Sequence, residues 1–215
     1  MSLISSTRQL VNKSAAYQKW RRNLEVRRLR DRIRASKPLR IVIGTGETAY
    51  DGWIWTDKHV LDITQPADWE KLFEPESIDS LLSEHVLEHL TEAECRVALG
   101  EAYRYLKPNA LFRLAVPDGY RRDPDYVAEI TPPRDGHKVV FTIDNLVPLL
   151  ESVGFQVTPL EYFDADEQFH ARPWDEREGH IKRSIRFDDQ VAFKRGDMYY
   201  TSIIIDARKG STCAE

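Results

Sequence analysis

From Pro38 onward, short β-rich runs alternate with helical periodicities, and that alternation restricts the chain to a layered α/β sheet. Leu39-Arg-Ile-Val-Ile43 reads as a buried strand entering a tight turn at Gly44. Trp53-Ile-Trp-Thr-Asp57, Val60-Leu61 and Ser77-Ile-Asp-Ser-Leu-Leu-Ser83 are the next strand candidates. Thr91-Glu-Ala-Glu94 has the form of a capping box, in which each side chain satisfies the other residue's backbone N–H. Cys95, Leu99, Ala102 and Leu106 form the apolar stripe of the helix it opens, and Lys107-Pro108 ends that helix. Leu111 to Val116, Phe155 to Leu160 and Tyr199 to Asp206 read as further strands. A helix is expected from about Asp144 to Val153, with Pro148 near its start and Gly154 as its stop. The expected architecture is a three-layer sheet, mostly parallel.

At 215 residues the chain suits one sizeable domain, able to bury roughly 70% of its unfolded surface without a metal or disulfide. Its two cysteines, Cys95 and Cys213, make no framework, so a reducing cytoplasm is the default. No apolar run approaches the roughly 18 residues of a spanning helix, and no apolar leader of secretory type opens the sequence. No membrane partner is expected. The net charge of −4 is unevenly placed: residues 1–37 carry eleven basic and two acidic groups, net +9, and the rest is −13. A basic leader on an acidic body admits a nucleic-acid partner. The competing reading is a docked helix with solvated arginines. Tyr17, Trp20 and Leu24 share one helical face, and Val26, Leu29 and Ile33 share another. The expected organisation is a basic helical segment over 1–37, one domain over 38–207 and a tail over 208–215. Residues 118–141 and 164–190 show no clear period; loops of that length leaving strand ends are commonly functional.

Gly44-Thr-Gly-Glu-Thr-Ala49 fits G-x-G-x-x-G/A after a strand, a pattern shared by dinucleotide sites, nucleoside-sulfonium sites and plain tight turns. A dinucleotide needs a full helix after the turn, and only six residues separate Gly46 from Trp53. Asp57 falls at the carboxyl end of the second strand, where a carboxylate can accept both hydrogen bonds of a ribose diol. Asp62 follows Val60-Leu61 and could face an adenine amino group.

The order of these pieces with Ile78-Asp79, Glu84-His-Val-Leu-Glu-His-Leu90, Tyr105-Leu-Lys-Pro108 and Leu114-Ala-Val-Pro-Asp118 resembles the class I S-adenosylmethionine-dependent methyltransferases. The likeness is greatest to a small branch carrying the EHVLEHL segment; it is close over 39–118 and looser over 137–206. It implies a Rossmann-like fold of seven strands with the last antiparallel, and S-adenosyl-L-methionine as cofactor. Gly44 and Gly46 would cradle the methionyl part, Asp57 the ribose, Asp62 and Ile63 the adenine, and Ser83, Glu84 and His85 the sulfonium. Thr45 stands where Cys or Ser is common, and Asn109-Ala110 where Gly-Gly is common; Asn tolerates the left-handed turn.

His85-Val-Leu-Glu88-His89 also matches the zinc-peptidase pattern H-x-x-E-H, but the segment is too short for a metal-bearing helix, and no metal is expected. A general base is needed only for a protonated acceptor, and His85, Asp118 and His137 are the candidates, with His170 and His180 beyond them. The ordinary reading of each is a structural or solvated residue. Tyr120, Arg121, Arg122, Tyr126, Trp174 and Arg186 could grip an anionic or sugar-bearing acceptor. The expected function is methyl transfer to a small molecule or glycan precursor. The alternatives are a nucleic-acid methyltransferase recruited by the basic segment, or a non-catalytic nucleoside-binding scaffold.

Overall fold

Period-two alternation decides which side of each strand meets the helices, and the strands here obey it. The computed structural model describes residues 15–44, 51–121, 123–186 and 202–211. Among them, seven strands form one sheet: β1 (Arg40–Ile43), β2 (Ile54–Thr56), β3 (Ile78–Glu84), β4 (Leu106–Pro117), β5 (Phe155–Phe163), β6 (Phe169–Ala171) and β7 (Ser202–Lys209). Their order is β2-β1-β3-β4-β7-β5-β6. β1 pairs in parallel with β2 and β3, and β3 with β4. β7 runs antiparallel between β4 and β5, and β6 is antiparallel to β5. The expected class I architecture, with its antiparallel last strand, is present.

Ile41 and Ile43 of β1, Leu81 of β3, Leu114 of β4 and Ile205 of β7 face one way, into the larger core. Helices α1 (Ala15–Ala35), α2 (Pro66–Leu72), α3 (Glu92–Tyr105) and α5 (Ile143–Val153) supply its other half through Leu29, Trp69, Leu99, Leu146 and Leu150. The alternate positions, Val42, Leu82, Ala115 and Ile204, face a smaller core. Among the described residues that second face is covered by the irregular 174–186 segment, through Trp174 and Ile181.

That segment is held by buried charge. Arg113 is fully buried in β4; it donates to both carboxylate oxygens of Asp206 at 2.7 and 2.9 Å, and to the carbonyls of Asp175 and Gly179 at 2.7 Å each. Its guanidinium lies 4.6 Å from the Trp174 ring centre. Glu161, also buried, accepts from Trp174 Nε1, Ser184 Oγ and the Ile185 N–H. Each buried ion therefore has its hydrogen-bond partners, which is the condition for keeping charge inside a protein.

The two faces of α1 have different fates. Leu29 is buried and Val26 and Ile33 pack on the core, whereas Trp20 is 59% exposed. No helix among the described residues is long and apolar enough to cross a membrane.

Several details depart from expectation. Val60-Leu61 is not a strand: both N–H groups fold back onto the Asp57 carbonyl in a turn, at 2.9 and 3.0 Å. The seventh strand is instead β6. Pro148 lies well inside α5 rather than in its first turn, so one intrahelical hydrogen bond is missing there. Helices α2 and α4 (Pro124–Ile130) occupy stretches with no assigned period. β7 runs to Lys209. The Tyr199–Thr201 portion of the expected last strand, Arg122 and Cys213 lie outside the described residues.

Candidate active site

The strand order reverses at β1: the chain steps outward to β2, then returns to lay β3 on the other side of β1. In open α/β sheets a crevice opens at such a point, outside the carboxyl ends of the strands. Gly44 follows β1, Asp57 follows β2, and Ser83 and Glu84 end β3, so the sheet gathers these at one rim. Gly44 N–H donates to the Thr56 carbonyl at 2.9 Å, which joins the β1 turn to the residue before Asp57. Ser83 is buried opposite Ile43 across the β1–β3 ladder. Gly46 lies outside the described residues.

Gly44 must be glycine for two reasons. Its φ is +66°, and a Cβ would sit 2.4 Å from Val86 Cγ2. The close approach is thus made by the chain itself, as the β3 turn folds over the β1 turn.

Asp57 is half-buried, and among the described residues nothing donates to its carboxylate. Asp62 differs: its Oδ1 accepts from the Thr64 N–H and hydroxyl at 3.1 and 2.7 Å, and Lys58 lies 3.9 Å away. The Asp62 carboxylate therefore shapes the entry to α2. Ile63 is buried, and its carbonyl accepts from Trp69 Nε1 at 3.1 Å.

Glu84 follows from strand alternation. Leu82 faces the 174–186 segment, so Glu84 does too, and it accepts from the N–H groups of Arg183 and Lys182 at 2.9 and 3.2 Å. His85 has φ +56°, uncommon for a residue with a side chain. Its N–H donates to the Ala115 carbonyl, and its Nε2 lies 2.8 Å from Ser202 Oγ at the start of β7. Burial pushes the imidazole well below its ordinary pKa, and the charges of Arg183, His137 and His89 act in the same direction.

Asp118 is fully buried at the end of β4. Its Oδ1 accepts from the Tyr120 N–H at 3.0 Å, its Oδ2 from the Phe163 N–H at 2.8 Å, and its own N–H donates to the Tyr126 hydroxyl. Burial raises its carboxyl to about 6 against the pull of those two N–H groups and the Arg121 charge. The group expected as a base thus ties β4 to β5 and to the 118–126 segment. His137 is buried beside His89, with Nδ1 donating to the Ile130 carbonyl at 2.9 Å and its ring centre 5.0 Å from that of His89. His170 is bound to Asp164 at 2.6 Å. Among the acceptor candidates, Tyr120 donates to Asp144 at 2.6 Å, and Arg186 donates to the Trp174 carbonyl.

Residues 55–114 match the model of a family described as a methyltransferase domain. No curated protein matches the chain. A chain in the complex between the Haloferax volcanii Trm112 methyltransferase activator and the putative methyltransferase aligns with 14% identity, covering 88% of this chain and 90% of that one, at TM-score 0.50. A SAM-dependent methyltransferase from Archaeoglobus fulgidus aligns with 17% identity, over 87% and 94%, at TM-score 0.48. At such identities the structural likeness concerns the fold.

Proposed function

We propose that the class I S-adenosylmethionine-dependent methyltransferase domain of this chain holds its cofactor at the carboxyl ends of β1, β2 and β3, and methylates a small molecule or glycan precursor. The observation that carries the reading is Asp57: a half-buried carboxylate at the rim with no donor among the described residues, beside the left-handed Gly44 turn. Buried polar groups are normally satisfied, and a ribose diol would supply two donors. The Asp57 acceptor therefore fits the ribose of the cofactor. Gly44 would line the methionyl end with Gly46, Asp57 the ribose and Ser83 the reacting end. Ile63 and Asp62 would flank the adenine through their placement after Asp57, with the Asp62 carboxylate spent locally.

The bound cofactor supplies a sulfonium-activated methyl group. What the chain contributes is alignment, and well-held geometry is worth roughly 7–11 kcal/mol of barrier. His85 and Asp118 are each engaged by protein partners, so proton removal is not their work in this reading.

The placement of α1 supports a small acceptor over a nucleic acid. Arg21 and Arg22 are paired with Glu25 and Asp68. Arg30, Arg34 and Lys37 line a cleft of about 440 Å³ with Leu39, Ser77 and Lys107, at the amino ends of β1, β3 and β4. A polyanion gathered there would lie on the rim opposite Asp57. A cytoplasmic setting belongs to the same reading and suits Cys95, a buried free thiol.

The test is transfer from methyl-labelled cofactor to a panel of small metabolites and sugars, and to bulk RNA and DNA, at low and moderate salt. Small-molecule product with little salt dependence is expected. Nucleic-acid product whose yield falls steeply with salt would favour recruitment through the basic segment, and no product in any arm would favour a scaffold.

A further inference from the structure

The turn after β3 buries a carboxylate that has no hydrogen-bond donor among the described residues. Glu88 is 1% exposed, and neither side-chain oxygen has a hydrogen-bond partner among the described residues. His85 Nδ1 lies 3.3 Å from Oε1 but out of hydrogen-bond alignment. An ionised carboxylate in that position is costly unless a cation joins it.

Two imidazoles stand beside it. Leu87–His89 is a 3-10 turn, which sets His89 next to Glu88 at the turn's end. His137 arrives from the distant 134–138 segment, and that approach is fastened by main chain: the Lys138 and Val139 N–H groups both donate to the Glu88 carbonyl, at 2.7 and 3.3 Å. One ligand atom each from Glu88, His89 and His137 lies within 4.8 Å of the others. His137 Nδ1–H is spent on the Ile130 carbonyl, because a carbonyl can only accept; Nε2 is therefore left with its lone pair. A backbone carbonyl on the far nitrogen is the usual support of a metal-binding histidine.

We propose that Glu88, His89 and His137 bind a divalent transition metal of the zinc type. One carboxylate oxygen and two imidazole nitrogens are a donor set that suits zinc, and three protein ligands leave a position for water or another oxygen ligand. Ligands at about 2.1 Å in a tetrahedron sit roughly 3.4 Å apart, so the ion would draw the present cluster inward by about 1 Å. His89, half-buried at the end of its turn, is the ligand best able to move. The site is not the H-x-x-E-H arrangement that the sequence suggests: His85 turns to Ser202, and His137 takes its place.

The test is calorimetric titration of zinc chloride into the full-length, chelator-stripped protein, with cobalt(II) absorption as a second reading. One equivalent bound by the wild type is expected. His89→Gln should weaken binding at least tenfold and lose the cobalt spectrum, and His137→Gln should do the same. Because His89 is partly exposed, its variant keeps the test usable if His137→Gln fails to fold. No stoichiometric zinc binding by folded wild type, or unchanged affinity in folded His89→Gln, overturns the proposal.

Discussion

Gly44 and Asp118 end neighbouring parts of the same rim, yet only the first could be judged from its residue type. A glycine directly after a β-rich run signals a backbone that side chains would block, and here both φ +66° and Val86 enforce it. Gly44→Ala is expected to cost about 1–3 kcal/mol of stability, since the methyl group meets both a left-handed backbone and a packed neighbour. Chemical denaturation would measure the loss, and an unchanged midpoint would contradict the packing described. Asp118 was legible as a strand-end acid, but the direction of its side chain depends on Phe163, a residue 45 positions away. Its folded pKa, about 6, lies above the ordinary 3.8. The folded state therefore holds that proton more tightly, and the associated stability is present below 3.8 and lost as pH rises through about 6. Over that window the loss is on the order of 2–3 kcal/mol. Asp118→Asn should flatten this part of the pH–stability curve between pH 4 and 7, even though the amide satisfies its N–H partners less well. Parallel curves for the two proteins would remove Asp118 from the account.

At the scale of elements, signals that act within one turn of chain were readable, and those that need a partner were not. The capping box at α3 forms as its residues predict: the Thr91 N–H donates to Glu94 Oε2 at 2.7 Å, and the Glu94 N–H to Thr91 Oγ1 at 3.3 Å. Thr91→Ala should cost about 1 kcal/mol, seen as a lower melting temperature. Gly154 adopts the left-handed cap, and Asn109 takes φ +63° where glycine is more usual. Helices α2 and α4 are only 7 residues each, too short for a clear period, and the signals they carry are Pro66 and Pro124 in the first turn and the Asp123 cap before Pro124. Val60-Leu61 looked like a strand on composition, but its N–H groups are already taken by Asp57. In α1 both apolar faces were visible, whereas the choice of Leu29 over Trp20 was made by the surface it meets.

For the whole molecule, the sheet's second face is the least legible feature, because among the described residues the irregular 174–186 segment covers it. The sign lay in β4, where Arg113 interrupts an otherwise apolar run and finds Asp206 across the β4–β7 ladder. Arg113→Leu should destabilise by about 3–5 kcal/mol, since it strands Asp206, and it should expose the 174–186 segment to protease. Arg113→Leu with Asp206→Leu should recover part of that loss; a double variant no better than the single would show that the pair is not the fastening.

The account rests on the ribose being grasped at the β2 end of the rim, which calorimetric titration of S-adenosylhomocysteine into wild type and Asp57→Ala tests most directly. Loss of charge-assisted hydrogen bonds predicts affinity weaker by about 1.5–3 kcal/mol in the variant, roughly 10- to 150-fold, with the fold intact. Equal affinity in the two proteins would contradict it.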